Sequence, residues 1–239
     1  LSLLSPRSQA ELARRLEEKC PAQDWKQLLE LISRETLEAI RQGEPVLEVG
    51  GGQAECSLPL SYVLEPLILE REPTMLYGDG SSGKSYFALY LALLVNEGLS
   101  KCGLRVPQPT QVLYLDWERH EDEIKRRVLQ FVHGGLIPSA LVFYRRCTSP
   151  LADELEEIQQ AIEYRNIGLV IIDSLLGASG EELERAGTVA HFMKAYRKLN
   201  KAGIILTHTQ KGIWEKTAFG SAYWRNFCSW IKSFQCADI

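Results

Sequence analysis

Eight consecutive residues from Gly78 to Ser85 read Gly-Asp-Gly-Ser-Ser-Gly-Lys-Ser and match the pattern G-x-x-x-x-G-K-[ST] without a mismatch. Glycines in this pattern let the backbone fold around phosphate groups, and free N–H groups at the start of a helix point toward them. We expect Lys84 to reach the β- and γ-phosphates of ATP and the Ser85 hydroxyl to hold Mg²⁺. The residues predicted to bind the nucleotide are Gly78, Asp79, Gly80, Ser81, Ser82, Gly83, Lys84, Ser85 and Tyr86.

The residues on either side of this loop agree with that interpretation. Thr74 to Tyr77 is apolar and strand-like, and Tyr86 to Val95 is a nearly continuous apolar helix followed by the stop signal Asn96-Glu97-Gly98. Strand, glycine loop and helix is the order that a phosphate-binding loop requires. A chance glycine turn before a core helix is the alternative, and the agreement of the loop with its flanks disfavours it.

A second motif is the apolar strand Leu169-Val170-Ile171-Ile172-Asp173, which ends in an acid. Downstream of a complete phosphate loop, this pattern indicates a Walker B strand, in which Asp173 holds Mg²⁺ through water beside Ser85. Ser174 follows Asp173. The glutamate that serves as catalytic base at that position in many helicase and AAA families is therefore absent.

The segments that must position these motifs alternate between strands and helices from residue 73 onward. Apolar strands alternating with helices predict a parallel sheet that is covered on both faces, and such sheets bind ligands beyond the carboxyl ends of their strands. The predicted strands are 74–77, 111–116, 141–144, 168–173 and 203–207, and the predicted helices lie near 84–97, 120–132, 152–165 and 184–201. The segment 223–234 is a further candidate for the sheet edge.

The first part of the chain has a different pattern. Residues 8–42 carry a broken apolar stripe at helical spacing, with Pro21 between two helices and Asp24 as a candidate N-cap of the second. Gly43 to Gln53 contains three consecutive glycines and reads as a linker. The predicted domains are a helical extension with its linker over 1–53 and the sheet-containing domain over 54–239.

Composition limits the compartment and the partners. The net charge of −4 means that any contact with nucleic acid needs a local basic patch. The six cysteines form no C-x-x-C pair and no zinc-spaced cluster, which predicts reduced thiols in the cytoplasm. No apolar run is long enough to cross a bilayer, so we expect no membrane association. The sequence opens on Leu rather than Met, and we expect the natural ends to lie beyond it.

With its motifs in this order, the chain resembles the RecA-like ATPases, in particular the branch of plasmid RepA-type hexameric helicases and their phage relatives. The resemblance covers about residues 55–235. It implies that the acid ending the second strand, Glu118, polarises the attacking water, and a carboxylate there could accept its proton. Asp116 and Glu121 are nearby alternatives. Glu118 also has a purely structural explanation, because the helix dipole favours an acid at the start of a helix.

The resemblance also assigns a role to the residues at the end of the strand Ile204-Ile205-Leu206-Thr207. In RecA-like proteins this tip senses the γ-phosphate and leads into a loop that contacts DNA. The RepA-type branch uses histidine there, so His208 is the sensor candidate, with Thr207 and Gln210 as alternatives.

The loop from Lys211 to Arg225 interleaves basic and aromatic residues, which suits a surface that follows phosphates and stacks on the bases of single-stranded DNA. The predicted DNA-contacting residues are Lys211, Trp214 and Lys216. Proteins of the resembled type complete their site with a basic residue from a neighbouring subunit, for which Arg225, Lys216 and Lys211 are candidates. Trp224, Phe227 and Trp230 fall at helix-like spacing, which favours a core role for them.

Gly177 to Gly187 occupies the position of the first DNA loop of the resembled family. The segment is polar and carries Glu181, Glu182 and Glu184, which disfavours tight contact with phosphates.

These observations predict an α/β protein with a RecA-like parallel sheet flanked by helices and a small N-terminal helical extension. The expected activity is Mg²⁺-dependent ATP hydrolysis by direct attack of water, used on DNA in replication by a cytoplasmic homo-oligomer, a hexameric ring. The alternative is an ATP-dependent scaffold or recruitment switch with slow turnover, which the acidic balance favours. A small-molecule kinase is disfavoured because no arginine-rich lid is visible.

Overall fold

The computed structural model describes residues 5–42, 46, 60–138, 141–180, 182–208, 224, 228 and 230–233. The chain divides into two compact units, Leu1–Leu58 and Pro59–Ile239. Apart from Val46, the predicted linker from Gly43 to Gln53 lies outside the described residues.

Two helices, α1 (Pro6–Lys19) and α2 (Trp25–Gln42), make up the described part of the first unit. They are separated around Pro21, as predicted. The carboxylate of Asp24 accepts a hydrogen bond from the backbone N–H of Gln27 at 3.0 Å. This bond satisfies one of the free N–H groups at the start of α2, so the predicted N-cap is confirmed.

The second unit contains strands and helices in alternation. Its strands are β1 (Tyr62–Leu64), β2 (Ile68–Leu69), β3 (Pro73–Gly78), β4 (Gln111–Asp116), β5 (Phe143–Arg146), β6 (Ile167–Asp173), β7 (Ala202–His208) and β8 (Trp230–Ser233). Its helices are α3 (Lys84–Glu97), α4 (Glu121–His133), α5 (Leu155–Arg165), α6 (Leu175–Ser179) and α7 (Ala186–Leu199). None of the described helices is long and apolar enough to cross a membrane.

The main sheet has six parallel strands in the order β5-β4-β6-β7-β3-β8, and β1 and β2 form a separate antiparallel pair. The predicted fold class is confirmed, since the chain forms a RecA-like parallel sheet flanked by helices. The central strands β4, β6 and β7 are rich in Val, Ile and Leu because both faces of the sheet are buried there. Along β6, Leu169 and Ile171 join the core on one face, with α3, while Val170 and Ile172 join the core on the other, with α7.

Strand register brings the motifs to one edge of the sheet. Gly78 at the end of β3 lies opposite His208 at the end of β7. Asp116 at the end of β4 lies opposite Asp173 at the end of β6. The phosphate-loop strand, the Walker B strand and the two other motif strands therefore end side by side.

Several sequence-based boundaries were wrong. The strand predicted at 141–144 is Phe143–Arg146, because β5 is an edge strand whose pairing with β4 begins at Phe143 and includes two arginines. The helices predicted near 120–132, 152–165 and 184–201 are present as α4, α5 and α7, with first residues one to three positions later. The segment predicted as a polar loop, 177–187, includes the end of α6 and the start of α7. The β1–β2 pair was not predicted.

The predicted core role of Trp224 is confirmed. Its ring is buried, packs edge-on against Phe192 at 5.5 Å between centroids, and donates through Nε1 to the carbonyl of Leu183 at 2.9 Å. Phe227 and the side chain of Trp230 lie outside the described part of the chain.

Gly203 of β7 gives a test of the packing. A Cβ at this position would overlap the hydroxyl of Tyr196, a buried ring whose Oη donates to the carbonyl of Lys201 at 2.9 Å. We expect Gly203→Ala to lower the free energy of unfolding by about 1–3 kcal/mol, as overpacking does.

Gly187 is the matched control. A Cβ there would meet no atom within 4 Å. Gly187→Ala should be neutral or stabilise α7 by up to about 1 kcal/mol. Urea unfolding followed by tryptophan fluorescence measures both, and equal midpoints for the two variants would contradict the packing argument.

Candidate active site

A cleft of about 250 Å³ lies at the carboxyl edge of the sheet, where the motif strands end. Its lining comes from the phosphate loop, the ends of β6 and β7, the turn after β4 and one side chain of α4. The lining residues are Ser81, Ser82, Gly83, Lys84, Ser85, Tyr86, Glu118, Arg119, Arg127, Asp173, Ser174, Leu206, Thr207 and His208. All four predicted catalytic residues, Lys84, Glu118, Asp173 and His208, therefore face one cleft.

The phosphate loop runs directly from β3 into α3. Gly83 immediately precedes the helix with φ of 92°, in the left-handed region where a side chain would be strained. The N–H of Ser82 donates to the carbonyl of Asp79 at 3.3 Å, which tightens the loop. This conformation turns the first N–H groups of α3 toward the cleft, where they can bind an anion.

Lys84 is buried at the centre of the loop. Its ammonium donates to the carbonyl oxygens of Gly78 at 2.9 Å and Asp79 at 2.7 Å. Burial lowers the pKa of Lys84, and the negative charges of Asp173 and Glu118 oppose that shift. The cation is thus held by neutral carbonyl dipoles in the place where phosphate oxygens would compensate its charge.

Asp173 is the buried carboxylate at the end of β6. Tyr114 of β4 donates its hydroxyl to Oδ2 of Asp173 at 2.5 Å, and the Ser85 hydroxyl also hydrogen-bonds to this carboxylate. Burial raises the pKa of Asp173, and the two hydroxyl groups oppose that shift. Burial also raises the pKa of Tyr114 well above its usual range, so Tyr114 stays a donor.

The donor set fits the expected Mg²⁺. The Ser85 hydroxyl and the Asp173 carboxylate hydrogen-bond to each other, so two hard oxygen donors adjoin the phosphate loop. Mg²⁺ is commonly held by one or two such groups together with water and substrate phosphates. No group of three or more His, Cys, Asp or Glu residues that could hold a metal ion occurs within the described residues.

Glu118 and His208 face each other across the cleft, with Oε1 of Glu118 3.9 Å from Nε2 of His208. Their side chains are 39% and 49% exposed, so both can meet water and substrate. Asp116, by contrast, is fully buried, and its Oδ1 accepts the backbone N–H groups of Glu118 and Arg119 at 2.8 and 2.9 Å. Its carboxylate therefore shapes the turn that presents Glu118.

Glu121, the other alternative base, lies at the start of α4. It forms an exposed ion pair with Lys125 at 3.1 Å and does not line the cleft. Of the three acids considered, Glu118 is the one with access to the cleft. Of the sensor alternatives, Thr207 lines the cleft beside His208.

Sequence reasoning missed Tyr114 and Arg127. Tyr114 reads as an ordinary strand residue, and only the pairing of β4 with β6 places its hydroxyl on Asp173. Arg127 is one of several basic residues of α4. Its i,i+4 spacing from Glu123 could have predicted the ion pair between them, but nothing in the sequence indicates that Arg127 lines the cleft.

Five predicted site residues, Gln210, Lys211, Trp214, Lys216 and Arg225, lie outside the described residues. Tyr86 lines the cleft, as expected for a nucleotide-binding residue, and its hydroxyl donates to Oε1 of Gln130 at 3.0 Å.

Comparison with known proteins identifies a family that matches most of the chain. Residues 39–212 match the protein family described as AAA domain. Among solved structures, a KaiC-like protein from the hyperthermophilic archaeon Pyrococcus horikoshii OT3 is similar, with a TM-score of 0.44 and 13% identity over 63% of this chain and 71% of that chain. A search of curated proteins found no match.

The raised pKa of Asp173 predicts a conflict between stability and binding. An acid whose pKa is raised in the folded state destabilises the fold fully above that raised pKa, and this destabilisation is lost as the pH falls from there to the lower pKa of the unfolded chain. Asp173→Asn removes this charge yet leaves an oxygen for Tyr114. Without nucleotide, the variant should be at least as stable as the parent chain at pH 7, with an advantage that shrinks as the pH falls.

The same variant is expected to lose the Mg²⁺-dependent part of its ATP affinity, by about 10-fold or more, because the carboxylate predicted to hold Mg²⁺ through water is gone. Chemical unfolding at several pH values and titration of a fluorescent ATP analogue with and without Mg²⁺ measure the two effects. A variant that is less stable at pH 7 and binds Mg²⁺–ATP normally would contradict both expectations.

Proposed function

The chain belongs to the AAA domain family, and from that premise we propose that it is an Mg²⁺-dependent ATPase of the RepA-type helicase branch that acts on DNA in replication. Its coarser identity, a P-loop ATPase with a RecA-like fold, follows from the family and from the sheet. The branch, the DNA substrate and the hexameric ring are our proposal.

In the proposed reaction, water attacks the γ-phosphate of ATP directly, the bond from the γ-phosphorus to the β–γ bridging oxygen breaks, and ADP and inorganic phosphate leave. The N–H groups of the phosphate loop and Lys84 bind the triphosphate, and Glu118 accepts the proton of the attacking water. Ser85 and Asp173 would hold Mg²⁺, which when bound neutralises developing negative charge on the phosphates. His208 contacts the γ-phosphate and reports its presence to the chain that follows β7.

One observation carries this proposal above all. Glu118 and His208, 3.9 Å apart, open on the same cleft as Lys84 and Asp173, which are both buried. Two buried charges can bind a charged ligand, and two solvent-accessible groups can exchange protons with water. A site that only bound a nucleotide would need no such exposed acid beside a phosphate-binding lysine.

The proposal for DNA rests on chain order. His208 ends β7, and the interleaved basic and aromatic loop from Lys211 to Arg225 follows directly. Binding of the γ-phosphate by His208 could therefore alter how Lys211, Trp214 and Lys216 contact single-stranded DNA. The scaffold alternative keeps the ATP site but has no DNA contact. The net charge of −4 is the observation that favours it.

Glu118→Gln tests the catalytic assignment. The amide keeps the shape of the side chain and removes the base, so ATP binding should persist while kcat falls by roughly 10²-fold or more. Glu121→Gln is the control, since Glu121 lies outside the cleft, and it should hydrolyse ATP at the parental rate. Normal turnover by Glu118→Gln would show that another group activates the water.

His208→Ala tests the coupling to DNA. The variant should still bind ATP but lose any stimulation of hydrolysis by single-stranded DNA. His191→Ala on the exposed side of α7 is the control and should keep the stimulation.

Trp214→Ala should weaken single-strand binding by about 1–3 kcal/mol if its ring stacks on a base. A parent protein that binds no DNA would replace the helicase proposal with the scaffold.

A further inference from the structure

Tyr114 stands within an aliphatic stretch of β4, in which Val112, Leu113 and Leu115 are all buried. Its ring is fully buried as well and belongs to the core on the α3 face of the sheet. A phenylalanine ring would fill the same space, so packing does not explain the hydroxyl group. A buried phenol usually has a hydrogen-bond partner, and that partner indicates what the hydroxyl is for.

The partner of this hydroxyl is the carboxylate of Asp173. Oη of Tyr114 donates to Oδ2 of Asp173 at 2.5 Å, the short distance of a hydrogen bond to a charged acceptor. The Ser85 hydroxyl bonds to the same carboxylate from the start of α3. The carboxylate is therefore held from a neighbouring strand and from the phosphate-loop helix, and its rotation would break the bond to Tyr114.

The position of Tyr114 leaves it no direct contact with a ligand in the cleft. Its side chain is fully buried and does not line the cleft. It lies opposite Ile171 in the pairing of β4 with β6, two residues deeper in the sheet than Asp173. Any effect of its hydroxyl on a bound ligand must therefore pass through Asp173.

We propose that Tyr114 is a positioning residue for the metal, whose hydroxyl holds the Asp173 carboxylate in the direction that Mg²⁺ and its water require. This inference rests on the proposed function, because it needs Mg²⁺–ATP in the cleft. Mg²⁺ demands near-ideal octahedral geometry, so a carboxylate that can rotate serves it poorly. Groups that orient metal ligands are commonly worth about 10- to 100-fold in metal affinity.

Tyr114→Phe tests this role by removing one oxygen atom and keeping the ring. The probe is a fluorescent ATP analogue, titrated once with Mg²⁺ and once with EDTA. Affinity in EDTA should stay close to the parental value, because Tyr114 does not reach the nucleotide. Affinity in Mg²⁺ should fall by about 10-fold or more, because the orienting bond to Asp173 is gone.

Tyr196→Phe is the matched control. Tyr196 is also buried, donates its hydroxyl to the carbonyl of Lys201 at 2.9 Å and does not line the cleft. Both variants lose an interior hydrogen bond, so both should unfold at a lower urea concentration than the parent. Only Tyr114→Phe should change the Mg²⁺ dependence of binding. The same Mg²⁺ dependence in both variants would make Tyr114 structural and overturn the proposal.

A double-mutant cycle tests whether Tyr114 acts through Asp173. In the Asp173→Asn background, Tyr114→Phe should cause no further loss of Mg²⁺-dependent affinity, since the carboxylate that it orients is already absent. A loss as large as in the parental background would overturn the proposal, because the hydroxyl would then act by another route.

Failure of the proposed function has a different signature in the same titrations. If Asp173→Asn loses the Mg²⁺ dependence and Tyr114→Phe keeps it, only the role of Tyr114 is wrong. If the parent binds the ATP analogue equally well in Mg²⁺ and in EDTA, or does not bind it, the Mg²⁺–ATP site itself is wrong, and Tyr114 with it.

Discussion

The site depends on the parallel register of four neighbouring strands. Because β4, β6, β7 and β3 run in the same direction, their carboxyl ends meet at one edge, with Asp116 opposite Asp173 and His208 opposite Gly78. A shift of one residue in any strand would turn its last side chain to the other face of the sheet. The buried Val, Ile and Leu residues of both faces specify that register, and so the apolar core fixes where the charged groups lie.

Burial of charge is the second constraint, and Asp116, Asp173 and Lys84 each meet it through hydrogen bonds to neutral groups. Two backbone N–H groups bind Asp116, two hydroxyl groups bind Asp173, and two backbone carbonyls bind Lys84. Neutral dipoles of this kind hold a charge in place without cancelling it. Burial accordingly shifts the pKa of Lys84 down and that of Asp173 up. A cleft built in this way is prepared for a ligand that brings both phosphates and a cation.

The sequence predicted the features that depend on local order. Strand, glycine loop and helix are contiguous, so the phosphate loop and α3 were found with their bounds. Asp173 and His208 end β6 and β7, Glu118 lies two residues beyond β4, and all three line one cleft, while their catalytic roles stay predictions. Features that depend on pairing between distant segments were missed. Tyr114 reaches Asp173, and Arg127 reaches the Tyr86 ring, across 59 and 41 residues of sequence respectively, with no local pattern to indicate either contact. The edge strand β5 was misplaced because its arginines resemble a loop.

Glu118 is closely packed on one side, at Trp117, and open on the other, at His208, so its side chain can move only toward His208. The preceding residue, Trp117, is fixed on three sides: its N–H donates to the Asp173 carbonyl at 2.7 Å, its Nε1 donates to the Ser149 carbonyl at 2.8 Å, and a Cβ on Gly177 of α6 would overlap its side chain. That side of the turn is closely packed, and close-packed groups do not deform gradually. On the other side stands His208, half exposed and 3.9 Å from Glu118. If Glu118 has the proposed role, a signal from the chain beyond β7 would therefore reach it through His208, while the contacts of Trp117 keep the backbone of Glu118 in place.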